Sequence, residues 1–172
     1  MRKNCQTSTE MPYEAKAVAN YFLDLVGTSA TLNPMKIQKL VYFAHGWHLA
    51  IHDGNSLIDE SVQAWTYGPV IPSLYHEFKK YGSRPITSPA LSMEVSGTKI
   101  QFVKPSVGDE QTMDLLGSIW DVYGSMSAIE LSNLTHEPGS PWHQIYTTSP
   151  HQKGLIIPNE LIKAYFDPAT PA

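Results

Sequence analysis

Leu40-Val41-Tyr42-Phe43-Ala44-His45-Gly46-Trp47-His48-Leu49-Ala50 is the stretch whose reading decides the fold. Ahead of it, Asn33 and Pro34 form an N-cap and N1 pair, the sequence mark of a helix start. At helical spacing, Ile37, Leu40, Val41, Ala44 and His48 line one face, while Gln38, Tyr42, His45 and Leu49 line a second. Two decorated faces predict a helix buried on most sides, at the centre of the molecule. Gly46 within it costs ~1 kcal/mol relative to Ala, so a neighbour is expected to pack too close for a Cβ.

Working outward, Ala15, Val18, Ala19, Phe22 and Val26 recur at helical spacing, with Pro12 in the first turn and Gly27 as the stop. Asp53-Gly54-Asn55 is a turn, and Val62 to Tyr67 alternates as a strand that Gly68-Pro69 ends. Pro72 opens a short helix carrying Leu74, Tyr75, Phe78 and Tyr81, closed by Gly82. Lys99 to Val103 reads as a second strand. A helix begins at Asp109 with Met113, Leu116, Trp120 and Tyr123 on one face, and Ser127-Ala128-Ile129-Glu130 is a capping box opening another. A short segment around Trp142 to Tyr146 follows, then a final helix from Asn159 to Phe166. The pattern predicts a mainly α fold with a small β-sheet (α+β), a compact single-domain helical bundle with a few short strands. Residues 1–10 read as a flexible N-terminal tail with Met11 as an alternative start, 11–167 as the domain, and 168–172 as a C-terminal tail.

A hydrophobic content of 42% against 16% charged residues excludes global disorder. Twelve Lys and Arg against sixteen Asp and Glu leave a net charge of -4, no electrostatic footprint for nucleic acid or anionic lipid. The lone cysteine, Cys5, forbids an internal disulfide, and no apolar run approaches the ~20 residues of a membrane span. Cytoplasm is the expected compartment.

His45, His48 and His52 lie at helical spacings of three and four, and a nearby Asp53 would complete a metal site. However, His45 and His48 fall on different stripes, His52 lies past the helix end, and no Glu stands between the histidines as it does in zinc proteases. No metal or other cofactor is expected. His136, between Thr135 and Glu137 and with His143 close behind, suits acid–base work but equally a helix C-terminus, where the dipole favours His. A metal-dependent or acid–base hydrolase built from His45, His48, His136 and Glu137 or Glu130 is therefore the alternative reading, and it requires those groups to converge in one pocket. A nucleic-acid-binding regulator has only Lys36 and Lys39 on its candidate recognition helix, too few for multiple phosphate contacts. Large aromatics are abundant instead. Tyr42, Trp47, Trp65, Tyr67 and Trp142 are anchors of the sort found in cores and binding hot spots alike.

The ordered set of motifs resembles the SocA-like antitoxin family, the Panacea domain, which includes phage-associated GepA-like proteins. The matching elements are Ala19-Asn20-Tyr21-Phe22-Leu23, Ile37-Gln38-Lys39-Leu40, His45-Gly46-Trp47-His48, Glu60, Ala64-Trp65-Thr66-Tyr67-Gly68-Pro69-Val70, Tyr75 through Gly82, Trp120 with Tyr123-Gly124, Glu130-Leu131, Thr135-His136 and Pro141-Trp142. Together they run from about Met11 to Phe166. The resemblance implies a compact helical domain without enzymatic activity, often carried in prophages. Its implied role is to neutralise a co-encoded toxin protein, by direct binding or by delivery to a Clp-type protease. Gln38, Lys39, Tyr42, His45, Trp65, Tyr67, Pro69, His136 and Trp142 are the candidate partner contacts, with no catalytic residue.

Overall fold

The computed structural model describes residues 11–27, 31–150 and 152–169. The expected tail at 1–10, Cys5 and residues 170–172 lie outside them.

The central helix is where the sequence puts it. α2 (Pro34–Ile51) is capped by Asn33, whose side chain accepts a hydrogen bond from Lys36 N–H at 2.9 Å. From Ile37 to Gly46 every residue is buried, on both stripes. Around it pack α1 (Ala15–Val26), α3 (Pro72–Phe78), α4 (Glu110–Tyr123), α5 (Ala128–Thr135) and α7 (Asn159–Phe166). α6 (Pro141–Tyr146) sits against α5 and α7. The close neighbour expected at Gly46 is Phe166 of α7: a Cβ on Gly46 would lie 2.3 Å from its ring. Phe166 fills that notch edge-on to Tyr42, Phe43 and Trp47. Burying a side chain of that size stabilises by roughly 1.5–3 kcal/mol, more than the glycine costs the helix.

The remaining helix signals also hold. Asp109 caps α4, and Ser127 and Glu130 exchange both capping-box hydrogen bonds at α5. Gly27 closes α1 and Gly82 closes a 3-10 turn, Lys79–Tyr81, that extends α3. One boundary moves. Pro12 precedes α1 rather than opening it, because Tyr13 forms a β-bridge with Ile58.

The strands depart further from expectation. The single small sheet is two separate two-stranded antiparallel sheets among the described residues. The strand read over 62–67 is β1 (Gln63–Trp65), and Gly68-Pro69 does not end it. After a two-residue turn, Gly68–Val70 returns as β2 in the register Gln63↔Val70, Ala64↔Pro69, Trp65↔Gly68. Pro69 is tolerated because its partner Ala64 sends its own N–H the other way, to Leu155 O at 2.8 Å. The predicted strand at Lys99–Val103 is β4, and its partner β3 (Ser92–Ser96) carries no sequence signal strong enough to be read. Asn20 of α1 holds both feet of that hairpin. Its Oδ1 accepts from Ala90 N–H at 2.8 Å, and its Nδ2 donates to Ala90 O and Pro105 O, both at 3.0 Å. No helix among the described residues is long and apolar enough to cross a membrane.

Candidate partner-binding groove

The β1–β2 hairpin is fastened from below by two successive residues of α2. Gln38 uses its amide as a surrogate strand: Nε2 donates to Ile71 O at 3.0 Å and Oε1 accepts from Ile71 N–H at 2.9 Å. Lys39, 1% exposed, sends its ammonium into the turn and donates to Tyr67 O at 2.9 Å and Pro69 O at 3.1 Å. Between those carbonyls lies Gly68, at φ +104°, where a Cβ would stand 2.4 Å from Lys39 Nζ and 2.9 Å from Thr135 Oγ1. The turn therefore needs glycine both for its backbone and for the ammonium beneath it. Burial without a counter-charge pulls the Lys39 pKa down to about 7.

From the side, Trp142 Nε1–H donates to Trp65 O at 2.7 Å. His136 caps α5, bonds Ser132 O through Nδ1, and packs its ring 3.9 Å from Trp142. Trp142 stacks in turn on Tyr146. Trp65 meets Tyr75 of α3 edge-on at 4.8 Å and bonds Gln63 Oε1. The hairpin is thus held on three sides.

What remains open is a groove of about 1030 Å³ lined by the hairpin, the first turns of α2, Tyr75, and Tyr146 with residues 152–154. Trp65, Tyr67, Tyr75 and Met35 form apolar walls, with Lys39 and Lys153 as its charged residues. Tyr67 projects at the rim, 74% exposed.

The nine candidate contacts divide accordingly. Lys39, Trp65, Tyr67, Pro69, His136 and Trp142 gather about the hairpin, and Gln38 anchors its end. Tyr42 and His45 belong to the core and are corrected to it, since both are sealed by α7. Tyr42 is 2% exposed against Phe166, and burial raises its phenol pKa. His45 is fully buried with Nε2 on Asn159 Oδ1 at 3.0 Å and no partner at Nδ1. Burial lowers its pKa to about 4, so it is neutral at physiological pH. Met35, Tyr75 and Lys153 are groove residues that sequence reasoning misses. Tyr75 reads in sequence only as part of a helix face, and nothing local brings Lys153 to Trp65.

The hydrolase constellation does not form. His45 is tied to Asn159, His48 to Asn55 O, His136 to Ser132 O, and Glu130 to its own N-cap. Among the described residues no three His, Cys, Asp or Glu side chains are grouped to hold a metal ion.

The family model described as Antitoxin SocA-like, Panacea domain, matches residues 37–143. Antitoxin SocA of Caulobacter vibrioides (strain NA1000 / CB15N) is 31% identical over 165 residues, covering 93% of this chain and 86% of the relative. The chain belongs to the SocA-like antitoxin, Panacea-domain family. No solved structure matches it. Within the Panacea segment the groove is lined from Gln38 to Tyr75, and Trp142 braces the hairpin from the side. Pro34 and Met35 on one side, and Tyr146, Gln152, Lys153 and Gly154 on the other, line the groove from outside the matched segment.

Proposed function

We propose that this Panacea-domain protein neutralises a toxin protein encoded beside it through physical contact, with the groove along the β1–β2 hairpin as the docking surface. The observation that carries the reading is a large aromatic, Tyr67, held out to solvent on a hairpin that Lys39, Gln38 and Trp142 make rigid. Binding energy concentrates in a few such anchors on fixed frames. The relative named Antitoxin SocA supports the same class of function. The protein acts by binding and not by catalysis, since each histidine that would serve a hydrolase is engaged elsewhere. The encounter takes place in the cytoplasm, where a lone cysteine suits the redox conditions.

Co-expression with the product of the neighbouring gene tests this directly. Growth arrest should be relieved, and the two proteins should co-purify. Tyr67→Ala should abolish rescue, with a binding loss of ~2 kcal/mol or more, while circular dichroism and melting temperature stay unchanged. A neighbour that is not toxic, or rescue with no detectable complex, defeats the reading. Rescue that disappears only in a Clp-deficient host assigns delivery to a protease in place of sequestration.

A further inference from the structure

We infer that the groove takes an extended acidic segment of the toxin, seating one Asp or Glu carboxylate of that segment against the Lys39 ammonium. The inference rests on the reading that a protein partner docks at this groove. It goes further in naming the chemistry that is recognised and the residue that recognises it.

The first observation is that Lys39 has no counter-charge. The ion pairs among the described residues are Lys16–Glu77, Lys104–Asp24 and Lys163–Asp53, none of them deeply buried. Lys39 is the buried cation, and its acceptors are two backbone carbonyls. An ammonium has three donors, so one remains unassigned. Holding strand carbonyls does not itself require a charge, and Gln38 next door does that work for Ile71 with a neutral amide. Burying a charge is costly unless something pairs with it. A carboxylate arriving from a partner would offset that cost at the moment of binding.

The second observation is the sign of the groove. The chain carries sixteen acidic residues against twelve basic ones, yet the groove lining holds Lys39 and Lys153 and no Asp or Glu. Complementary charge of this kind selects partners and fixes register. The third is size and shape. At about 1030 Å³ the groove is at the upper end of small-ligand pockets, which run ~300–1,000 Å³, and its aromatic walls suit the side chains of an extended chain. Two lysines are too few for a nucleic-acid backbone, which needs several phosphate contacts.

A displayed library of random peptides, selected on the full-length protein, tests the inference even while the toxin is unidentified. Selected peptides should share an Asp or Glu at one position. By fluorescence anisotropy, replacing that residue by Asn or Gln should weaken binding by about tenfold or more, as loss of one partner of a desolvated charge pair does. Lys39→Met should abolish the discrimination, so that the acidic peptide and its Asn or Gln form bind the variant with equal affinity. The peptide substitution requires no change in the protein, so the test survives even if Lys39→Met fails to fold. Selection of neutral or basic peptides, or equal binding of acidic and neutral forms, overturns the inference. So does Lys39-dependent binding of a single-stranded oligonucleotide in preference to the peptides. The two readings fail separately. Toxin rescue that survives Lys39→Met but not Tyr67→Ala removes the carboxylate and keeps the docking surface. Lys39-dependent acidic peptides without any toxin to rescue keep the carboxylate site and remove the antitoxin reading.

Discussion

The two hairpins of this protein are opposites built from similar local material. β1–β2 has three-residue strands, and β3–β4 has five-residue strands. By backbone pairing alone the second should be the sturdier. Yet β1–β2 is the one locked into the fold, by Gln38 and Lys39 from below, Trp142 from the side and Leu155 along its outer edge. β3–β4 is attached at its feet, by Asn20 and by exposed side-chain links from Glu14 to Ser92, Lys16 to Leu91 O and Asp24 to Lys104, and leaves most of its length in solvent. Its register places Met93 opposite Phe102 and Val95 opposite Ile100, so four apolar side chains share one exposed face. Strand length says little about rigidity; side chains from neighbouring helices decide it. That is why the candidate docking surface lies at the shorter hairpin.

The turn glycines give the largest expected contrast. Gly68 (φ +104°) and Gly97 (φ +62°) both occupy left-handed backbone. A Cβ at Gly97 meets nothing within 4 Å, whereas one at Gly68 collides with Lys39 Nζ and Thr135 Oγ1. Gly97→Ala should therefore cost ~1 kcal/mol, the backbone penalty alone. Gly68→Ala adds displacement of a buried ammonium from its two carbonyls and should cost about 2–4 kcal/mol. Urea denaturation of the two variants measures the difference. Equal losses would mean that the Lys39 clamp contributes nothing to the hairpin.

Much of this is legible in the sequence, and the failures share a cause. Helix starts are local chemistry: Asn33-Pro34, Asp109 and the Ser127–Glu130 box each bond within their own turn, so each is readable. Gly46 announces a close neighbour but not its identity, because Phe166 lies 120 positions away in the chain. The end of the first strand misleads because Gly68-Pro69 is a stop signal in isolation. It becomes a strand only where Ala64 turns its N–H to Leu155. Within the site, exposure is the hidden quantity. Tyr42, His45 and Tyr67 look alike in sequence as large groups with a polar tip, yet two are sealed by α7 and one stands in water. Lys39 is legible only as a candidate, and the tertiary structure reveals it as a buried cation without an acid.

Lys39 also gives the clamped hairpin a pH signature that the other hairpin lacks. Burial lowers its pKa to about 7 in the folded protein, against ~10.4 for an unfolded lysine. Between those values the unfolded chain binds the proton and the folded one does not, so stability rises with pH through that window. From about pH 7 to about pH 9 the gain should be on the order of 2 kcal/mol, and it should be absent in Lys39→Met. The subtraction matters, because raised tyrosine values at Tyr13, Tyr21 and Tyr165 act in the opposite sense at higher pH. A wild-type curve parallel to that of Lys39→Met would remove the unpaired charge from beneath the turn.

The smallest expected effect belongs to the exposed hairpin. Ile100 and Phe102 are 65% and 69% exposed, so Ile100→Ser with Phe102→Ser removes little buried surface. Exposed substitutions of this kind stay within about 0.5 kcal/mol, and global stability should hardly move. Local stability is the more discriminating measurement. A two-stranded hairpin without a packed face is marginal in water, whereas one tied into a core opens only when the core does. Backbone amides bonded between β3 and β4 should therefore exchange with solvent deuterium at a free energy well below that of global unfolding. Ala64 N–H, bonded to Leu155 O at the edge of the clamped hairpin, should exchange near the global value. Slow exchange in β3–β4, or a loss of about 2 kcal/mol in the double variant, would mean that its apolar face is covered by the rest of the chain. The contrast between an anchored hairpin and a free one would then dissolve.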